Sequence, residues 1–489
     1  MKYIKGELLR RTLLNHKRLG DDIYRSSMVF DHPSDWPGDF VGRAILALVS
    51  LYHSLNGQKQ EQDQILEQLN DIFVTMQSYI NEDGYFGDVF NGVSVDEQQI
   101  SGNSWFLRGL IEYYKLTKDD KYLKQINTIC DKYLLKIARF YDEYPLTKRE
   151  FGGVGGHTNK EIKGSWKVST DIGCAFIMLD GMTAVYEINQ NEELRSVIEK
   201  VINKFLEIDY ILLECQTHAT LSCSRGIFRF YKLTKDKKYL NHVIDIFSKY
   251  LKNGMTLDFS NINWFNRSDT WTEPCCVVDS MILAKNLYLE TKQHCYLNLF
   301  NRIYVNALRT FQRDNGGAGC STCAFDEKYE LKMFMYEAFF CCTMRLGEGL
   351  KEIYDFSLIQ KGNKLIVPGA FDVEFKDRCN EICIYNDYYS HKIEININKI
   401  NGEKVIQLYV PGSNKLVSLT VNEIGSYKVD YKLETVVEDG IIFEGDMILT
   451  RKNEELPEYF ILNGVNYTPI YDNSMFDEKT LESKIQYVK

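Results

Sequence analysis

The sequence is short of proline and histidine, and it contains no long apolar run. Only 8 of its 489 residues are proline, and another 8 are histidine. Scarce proline, together with 13% aromatic and 26% charged residues, excludes a fibrous or disordered chain and is typical of a helix-rich globular protein. No stretch approaches the roughly 18 apolar residues that a membrane-spanning helix needs. We therefore expect a folded protein of enzyme size that does not cross a membrane.

Basic residues are also fewer than acidic residues. The formal net charge is -10, and an acidic surface offers no counter-charge to nucleic-acid phosphates or anionic lipids. We therefore expect neither a nucleic acid nor a membrane as partner. Residues 1–7 carry charges where an export signal would need an apolar run, which predicts a cytoplasmic location. The oligomeric state is not specified by any motif, and a homo-oligomer is compatible with the sequence.

Cysteine, by contrast, is plentiful. The 13 cysteines form an odd number, and without an export signal they favour metal binding or catalysis over a disulfide framework. Two adjacent pairs stand out, one beginning at Cys275 in Glu-Pro-Cys-Cys and the other formed by Cys341 and Cys342. Thiolates combined with a carboxylate suit tetrahedral Zn²⁺. We expect Glu273, Cys275, Cys341 and Cys342 to bind one Zn²⁺ ion.

Both cysteine pairs are expected at the start of a helix. Pro274 suits a first helical turn, and apolar residues recur at helical spacing after each pair. The partial positive charge of a helix N-terminus favours a thiolate, which is both a ligand and a nucleophile. Cys276 and the C-x-x-C pair of Cys320 and Cys323 remain alternative ligands. If Cys320 and Cys323 bound the same ion, its shell would be closed and catalysis disfavoured.

A loose repeat organises the first part of the chain. Helices with aromatic ends recur at intervals of about 45 to 70 residues, as expected for helical hairpins with inserted loops. About six such hairpins over residues 1–355 predict an (α/α)6 barrel, although an open superhelix fits the same pattern. Residues 356–489 contain short alternating runs separated by turns, which predict strands. The predicted fold is thus mainly α, an (α/α)6 barrel followed by a smaller C-terminal β-sandwich.

At these motifs the chain resembles glycoside hydrolase family 127, the β-L-arabinofuranosidase group, as a distant relative. The similar residues are the turn at 83–87, His218, Glu273 with Cys275, and Cys341 with Cys342. The resemblance implies a zinc-dependent retaining glycoside hydrolase in which Cys341 is the nucleophile and also a zinc ligand. Its substrate would be an oligosaccharide or glycoside, such as a β-L-arabinofuranoside or a related sugar.

The sequence departs from the family at the general acid/base. Leu257 stands where the family has its acid/base glutamate, and the neighbouring Asp258 is our candidate, with Asp269 as the alternative. A retaining glycosidase needs this group on the face of the anomeric carbon opposite the nucleophile. His218, His157 and Trp271 are the candidate substrate-binding residues. Buried or loop histidines and core tryptophans are the ordinary alternative for these three.

Two other functions fit the same motifs. A carbohydrate-binding or scaffold barrel without catalysis would use the zinc site only to clamp two helices. A sugar epimerase or a hydrolase of unsaturated uronides would share the barrel, but an epimerase relies on pocket histidines, of which this chain has few. We therefore expect the zinc-dependent glycosidase.

Overall fold

A computed structural model describes residues 1–31, 36–149, 158–267, 269–323, 334–388, 391–413, 415–438 and 441–451, and four short strands after residue 459. The helices in these parts are α1 (Gly6–Leu19), α2 (Asp39–Ser54), α3 (Lys59–Thr75), α4 (Glu97–Thr117), α5 (Asp120–Ile129), α6 (Leu135–Ile137), α7 (Met178–Asn189), α8 (Glu192–Leu206), α9 (Thr217–Thr234), α10 (Lys237–Asn253), α11 (Pro274–Thr291), α12 (His294–Ile303), α13 (Arg309–Phe311) and α14 (Cys342–Ser357). No helix in the described part of the chain is both long and apolar enough to span a lipid bilayer.

Six of these helices form a closed inner ring. The order around the ring is α2, α4, α7, α9, α11 and α14, and α14 packs back against α2. Outside them lie α3, α5, α8, α10, α12 and α1, which pack mainly against α2, α4, α7, α9, α11 and α14 respectively. The inner helices are buried on nearly all sides, whereas an outer helix such as α10 buries one face only. The predicted (α/α)6 barrel is confirmed, and its closure excludes an open superhelix.

Glycines let the inner helices approach closely. A Cβ atom on Gly42 of α2 would lie 2.3 Å from the backbone nitrogen of Phe106 in α4, and Gly109 of α4 lies in turn against Ile45. This order of contacts shows that α2 and α4 run parallel. Each inner helix is connected to the next inner helix by an outer helix that runs in the opposite direction. All six inner helices therefore begin at the same end of the barrel. We call this end the barrel mouth.

Charged side chains fill much of the barrel interior. The Nε atom of Arg108 lies 3.0 Å from Asp180, and Nη1 of Arg225 lies 2.6 Å from Asp279. Four arginines (Arg108, Arg225, Arg229 and Arg345) and three carboxylates (Asp180, Asp279 and Glu348) form this buried network. Burial alone would raise the pKa of Asp180, but the surrounding arginines hold it well below the usual value. The network therefore remains ionised inside the barrel.

The strands lie in small mouth sheets and in a C-terminal β region. They are β1 (Lys2–Ile4), β2 (Val95–Asp96), β3 (Thr158–Lys163), β4 (Trp166–Ser169), β5 (Trp271–Thr272), β6 (Gly319–Thr322), β7 (Phe334–Glu337), β8 (Ile359–Lys361), β9 (Lys364–Val367), β10 (Val373–Lys376), β11 (Glu381–Asp387), β12 (Lys392–Lys399), β13 (Lys404–Tyr409), β14 (Leu416–Val421), β15 (Gly425–Asp430), β16 (Thr435–Glu438), β17 (Ile441–Glu444), β18 (Met447–Arg451), β19 (Phe460–Leu462), β20 (Val465–Pro469), β21 (Phe476–Asp477) and β22 (Glu482–Ser483).

Two sheets make up the first part of the β region. One has the order β1-β10-β11-β12-β15 and is antiparallel throughout, whereas the other has the order β14-β13-β9-β8 with a parallel pair β13–β9. In the first sheet Ile384 pairs with Ile395, and both are buried, as the alternation of the strands predicts. The smaller C-terminal β domain is thus confirmed. The strand β1 also belongs to it, and the division at residue 355 stays a prediction.

A buried carboxyl group lies where the β region meets the barrel. Asp446, in the turn between β17 and β18, accepts hydrogen bonds from the hydroxyl of Tyr409 at 2.9 and 3.0 Å. Its backbone carbonyl accepts a hydrogen bond from Asn306 of the outer barrel layer at 2.8 Å. Burial raises the pKa of Asp446 from 3.8 to about 7, because Tyr409 and Arg302 offset only part of the desolvation.

This pKa predicts a pH-dependent stability. Since the folded-state pKa lies above the unfolded one, protonated Asp446 favours folding, and that contribution is lost as pH rises from about 4 to about 7. The loss is on the order of 4 kcal/mol. Asp446→Asn cannot ionise but still accepts from Tyr409. We expect urea unfolding at pH 5 and pH 8 to show a smaller decrease for the variant than for the wild type, and an equal decrease would contradict this account.

Candidate metal centre at the barrel mouth

A three-stranded sheet joins the two cysteine segments. The strand β6 lies in the middle, with Thr272 of β5 paired to Ser321 and Glu337 of β7 paired to Gly319. The strand β5 leads directly into α11, and β7 leads through a short turn into α14. Because α11 and α14 are neighbours in the inner ring, their first turns meet beside this sheet. The helix starts that the sequence predicts at both cysteine pairs are confirmed.

The four predicted ligands come together at this place. One ligand atom from each of Glu273, Cys275, Cys341 and Cys342 lies within 4.8 Å of all the others. The Sγ atom of Cys342 is 3.5 Å from that of Cys275 and 3.4 Å from that of Cys341. Sulfur atoms on a tetrahedral zinc ion with Zn–S bonds of about 2.3 Å are about 3.8 Å apart. The group therefore has the size and the donor chemistry of a zinc site.

The carboxylate of Glu273 is available for a ligand. Its Oε2 atom is buried and has no hydrogen-bond partner among the described residues. A buried acceptor left in this state costs about 1–3 kcal/mol, and more if it is charged. A metal ion bound to Oε2 removes that cost.

The thiols need a cation to become thiolates. Burial raises the pKa values of Cys275 and Cys342 well above the usual value. For Cys341 a hydrogen bond with Cys275 lowers the pKa, but a hydrogen bond with Cys342 and burial outweigh it, so its pKa is also raised. The N-termini of α11 and α14 supply only partial positive charge. A divalent cation would supply what is missing.

An arginine that the sequence analysis missed lies against the cysteines. Nη1 of Arg43 is 3.7 Å from the Sγ atom of Cys275. Its Nε and Nη2 atoms donate to both carboxylate oxygens of Asp39, at 2.7 and 3.0 Å, and its guanidinium lies 4.0 Å from the ring centre of Trp105. Only the i,i+4 spacing of Asp39 and Arg43 was visible in the sequence, and such pairs are common on exposed helices.

His218 lies between the four candidate metal ligands and the buried charge network. Its Nδ1 atom is 3.4 Å from Oε1 of Glu273, and its Nε2 atom is 3.5 Å from Oδ2 of Asp279. Its ring stacks on Trp105 at 5.8 Å between centroids. His218 thus connects the candidate metal ligand to the buried charge network. Its predicted role in substrate binding stays a prediction.

The alternative cysteine ligands point elsewhere or lie outside the group. Cys276 donates to the hydroxyl of Tyr250 at 3.7 Å, on the outer side of α11. Cys323 donates to the carbonyl of Thr270 at 3.0 Å. Cys320 is buried on β6 and hydrogen-bonds with Cys342, but it is not one of the four convergent residues. Among the described residues, the C-x-x-C pair thus lies outside the group of four convergent ligand atoms.

The candidate acid/base residue lies in a loop beside the centre. Asp258 accepts hydrogen bonds from the side-chain hydroxyls of Thr256 and Ser260, the second at 3.0 Å. The side chain of Asn261 ties this loop to the centre by accepting from the backbone nitrogen of Glu273 at 2.9 Å. The alternative, Asp269, is exposed and paired with Arg267 at 2.8 Å. Neither geometry assigns the acid/base, which stays a prediction.

The other two predicted substrate contacts are less informative. Trp271 is partly buried and packs edge-on against Trp264, with 5.4 Å between centroids. His157 lies outside the described residues. Both roles stay predictions.

One face of α4 carries polar groups without partners. Gln98, Ser101 and Trp105 are buried and share a face of the helix, because they are three and four residues apart. The side-chain nitrogen of Gln98, the hydroxyl of Ser101 and the indole nitrogen of Trp105 have no hydrogen-bond partner in the described part of the chain. Trp105 marks this face as the one toward Arg43 and the barrel interior. No sequence motif marks these residues.

The fold and the site together define an (α/α)6-barrel protein with a candidate centre of three cysteines and one glutamate at the barrel mouth. No family model and no curated protein matches the sequence. A solved structure described as a glycoside hydrolase superposes with a TM-score of 0.64 at 10% identity, covering 93% of this chain and 82% of that chain.

Two solved family 127 enzymes have the same fold. A β-arabinofuranosidase has a TM-score of 0.60 at 11% identity, covering 91% of this chain and 79% of its own. The β-L-arabinofuranosidase Ara127N from Geobacillus stearothermophilus T6 has a TM-score of 0.55 at 10% identity, covering 90% and 80%. The predicted resemblance to family 127 is thus confirmed at the level of the fold.

The two adjacent cysteines on α11 allow a matched test of the metal centre. We expect purified protein to bind about one equivalent of Zn²⁺, and Cys275→Ser to lower the affinity at least tenfold because it removes a ligand. Cys276→Ser should bind zinc as the wild type does, since its thiol points to Tyr250. Chelator competition gives the affinities. Equal zinc affinity in both variants would contradict the assignment.

Proposed function

We propose that the protein is a zinc-dependent retaining glycoside hydrolase with Cys341 as nucleophile. The observation that carries this proposal is the convergence of Glu273, Cys275, Cys341 and Cys342 at the mouth of the barrel. Three of these residues are buried, whereas Cys341 is partly exposed. Of the three cysteines in the group, Cys341 is therefore the residue most exposed to solvent, and we propose its sulfur as the one that meets the substrate.

Zinc is the proposed metal because three thiolates and one carboxylate match its preferred donors and coordination number. Glu273, Cys275, Cys341 and Cys342 would hold it. When bound, the ion supplies the positive charge that keeps these thiols deprotonated at neutral pH.

The reaction proceeds in two displacements. The Sγ atom of Cys341 attacks the anomeric carbon, and the C–S bond forms as the bond to the leaving oxygen breaks. The acid/base residue gives that oxygen its proton. A water molecule then attacks the same carbon, loses its proton to the acid/base residue and breaks the C–S bond. Two inversions retain the anomeric configuration.

Asp258 is our proposed acid/base. Its loop is anchored to Glu273 through Asn261, which keeps it near the centre. The hydroxyls of Thr256 and Ser260 fix the orientation of the carboxylate. Asp269 is the weaker candidate, because Arg267 holds its pKa below the usual value and so disfavours the protonated form that an acid must have.

The lining of the mouth favours a hydroxyl-rich ligand. The unpartnered groups of Gln98, Ser101 and Trp105 can hydrogen-bond to sugar hydroxyls. Beside Cys341, the exposed rings of Tyr336 and Phe340 lie 6.5 Å apart and offer apolar faces for a sugar ring. We propose β-L-arabinofuranosides or related glycosides as substrates, with His218, His157 and Trp271 among the contacts.

Replacing the nucleophile tests the proposal directly. We expect the wild type to hydrolyse at least one glycoside in a panel of p-nitrophenyl furanosides and pyranosides that includes the arabinosides. Cys341→Ser should reduce kcat by about 10⁴-fold or more while the fold is retained, because the alcohol is a far weaker nucleophile than the thiolate. Cys276→Ser is the control and should keep its activity. Wild-type rates in Cys341→Ser would refute the assignment.

Leaving groups of different basicity test the acid. Asp258→Asn should lose about 10²- to 10⁴-fold in kcat/KM on an alkyl glycoside, which needs protonation of its leaving oxygen. On the p-nitrophenyl glycoside, whose leaving group needs little help, the loss should be much smaller. Asp269→Asn serves as the matched control. A loss of the same size on both substrates, or a loss of stability alone, would show that Asp258 only shapes its loop.

A structural zinc clamp is the second candidate. It is favoured by the position of the group between the first turns of α11 and α14, where a metal would hold the two helices together. In that case metal removal should unfold the protein, and neither the wild type nor any variant should hydrolyse the glycosides. The cytoplasmic location and a homo-oligomeric state also stay predictions.

A further inference from the structure

We propose that Arg43 is a positioning residue that distinguishes Cys275 from the other two cysteines of the centre. This inference rests on the proposed metal centre, but it does not depend on the glycosidase activity. Arg43 would hold Cys275 as a permanent, less reactive ligand and so leave Cys341 as the reactive sulfur.

The position of Arg43 is fixed from three sides. Asp39 accepts from its Nε and Nη2 atoms, at 2.7 and 3.0 Å. The flat face of the guanidinium lies on the indole of Trp105 at 4.0 Å. These contacts leave Nη1 to point at the Sγ atom of Cys275, 3.7 Å away. Because the side chain is buried, this donor has no access to bulk water.

Within the described part of the chain, Arg43 donates a hydrogen bond to Cys275 and to neither of the other two cysteines of the centre. Among the described residues, Arg43 is the only cationic side chain that donates a hydrogen bond to a sulfur atom of the centre. Arg345 lies on the same indole at 4.7 Å, but it pairs with Asp279 and Glu348. The three cysteine side chains have the same chemistry, but the fold gives only Cys275 a hydrogen bond from a cationic side chain among the described residues.

A charged hydrogen-bond donor changes the nucleophilicity and the metal affinity of a thiolate. An N–H···S hydrogen bond draws electron density from the sulfur atom, so that it becomes a poorer nucleophile, and groups of this kind also orient ligands and raise metal affinity. A loaded centre of one dication and four anionic ligands has a net charge of about -2, which a neighbouring guanidinium partly offsets. No cationic side chain of the described residues donates a hydrogen bond to Cys341, which is partly exposed.

The test replaces zinc with cobalt(II), whose sulfur-to-metal charge-transfer absorption reports on sulfur electron density. The double variant Asp39→Asn/Arg43→Met removes the donor without leaving an unpaired aspartate. We expect this variant to show the charge-transfer band at longer wavelength and about tenfold weaker zinc binding in chelator competition. Asp39→Asn alone keeps the donor and one of its two acceptors, and it should change both measurements less than the double variant does.

Two further variants separate this role from a purely structural one. Arg11→Met removes another buried arginine, one that pairs with Glu7 far along the chain from the cysteines, and should lower the melting temperature without moving the cobalt band. Arg43→Lys still pairs with Asp39, but a single ammonium does not serve both Asp39 and Cys275 as the planar fork does. It should therefore fold and show the same direction of change as the double variant.

The outcomes decide the proposal whether or not the protein is a glycosidase. An unchanged cobalt band and zinc affinity in folded Arg43→Lys and in the double variant would overturn it, as would a wild type that binds neither metal. A wild type that binds both metals and shows the expected shifts, yet hydrolyses no glycoside, would leave the role of Arg43 standing and refute only the proposed function.

Discussion

The pairing of strands β5, β6 and β7 is the constraint on which the candidate centre depends. Cys275 and Cys342 are 67 positions apart, yet their sulfur atoms lie 3.5 Å from each other. Besides the backbone ladder, Thr272 and Ser321 exchange hydrogen bonds of 3.2 and 3.0 Å between the hydroxyl of one and the backbone of the other. This small sheet places the two cysteine-bearing segments at the adjacent N-termini of α11 and α14. The partial positive charges of both helix N-termini lie beside the sulfur atoms there.

The buried charge network lies next to the candidate centre, on the side occupied by His218. Removing charges from water is costly, and ion pairs inside a protein are tolerated when every member is paired in good geometry. Here arginines and carboxylates of five inner helices (α4, α7, α9, α11 and α14) pair with one another across the barrel. His218 extends this network to the centre, because it lies between Asp279 and Glu273. The carboxylate of the candidate ligand Glu273 therefore has the imidazole of His218 beside it.

The fold alone leaves the chemistry open, because many activities share the (α/α)6 barrel. The likeness to family 127 enzymes at about one residue in ten identical concerns the path of the backbone. The proposed glycosidase function is therefore supported by the four convergent side chains, the partial exposure of Cys341 and the polar groups of α4 that have no partner among the described residues. Arg43 adds a difference between sulfurs that a superposition of backbones does not reveal.

The order of residues along the chain was enough to predict the helical hairpins, the C-terminal strands and the four residues that converge in the candidate centre. Periodicity reports on local structure, and adjacent cysteines near a carboxylate are chemically distinctive. Only the tertiary structure decided that the ring closes and that Cys276 turns toward Tyr250 rather than the centre. It alone revealed Arg43 and the polar face of α4, because contacts between distant helices depend on packing and leave no local pattern in the sequence.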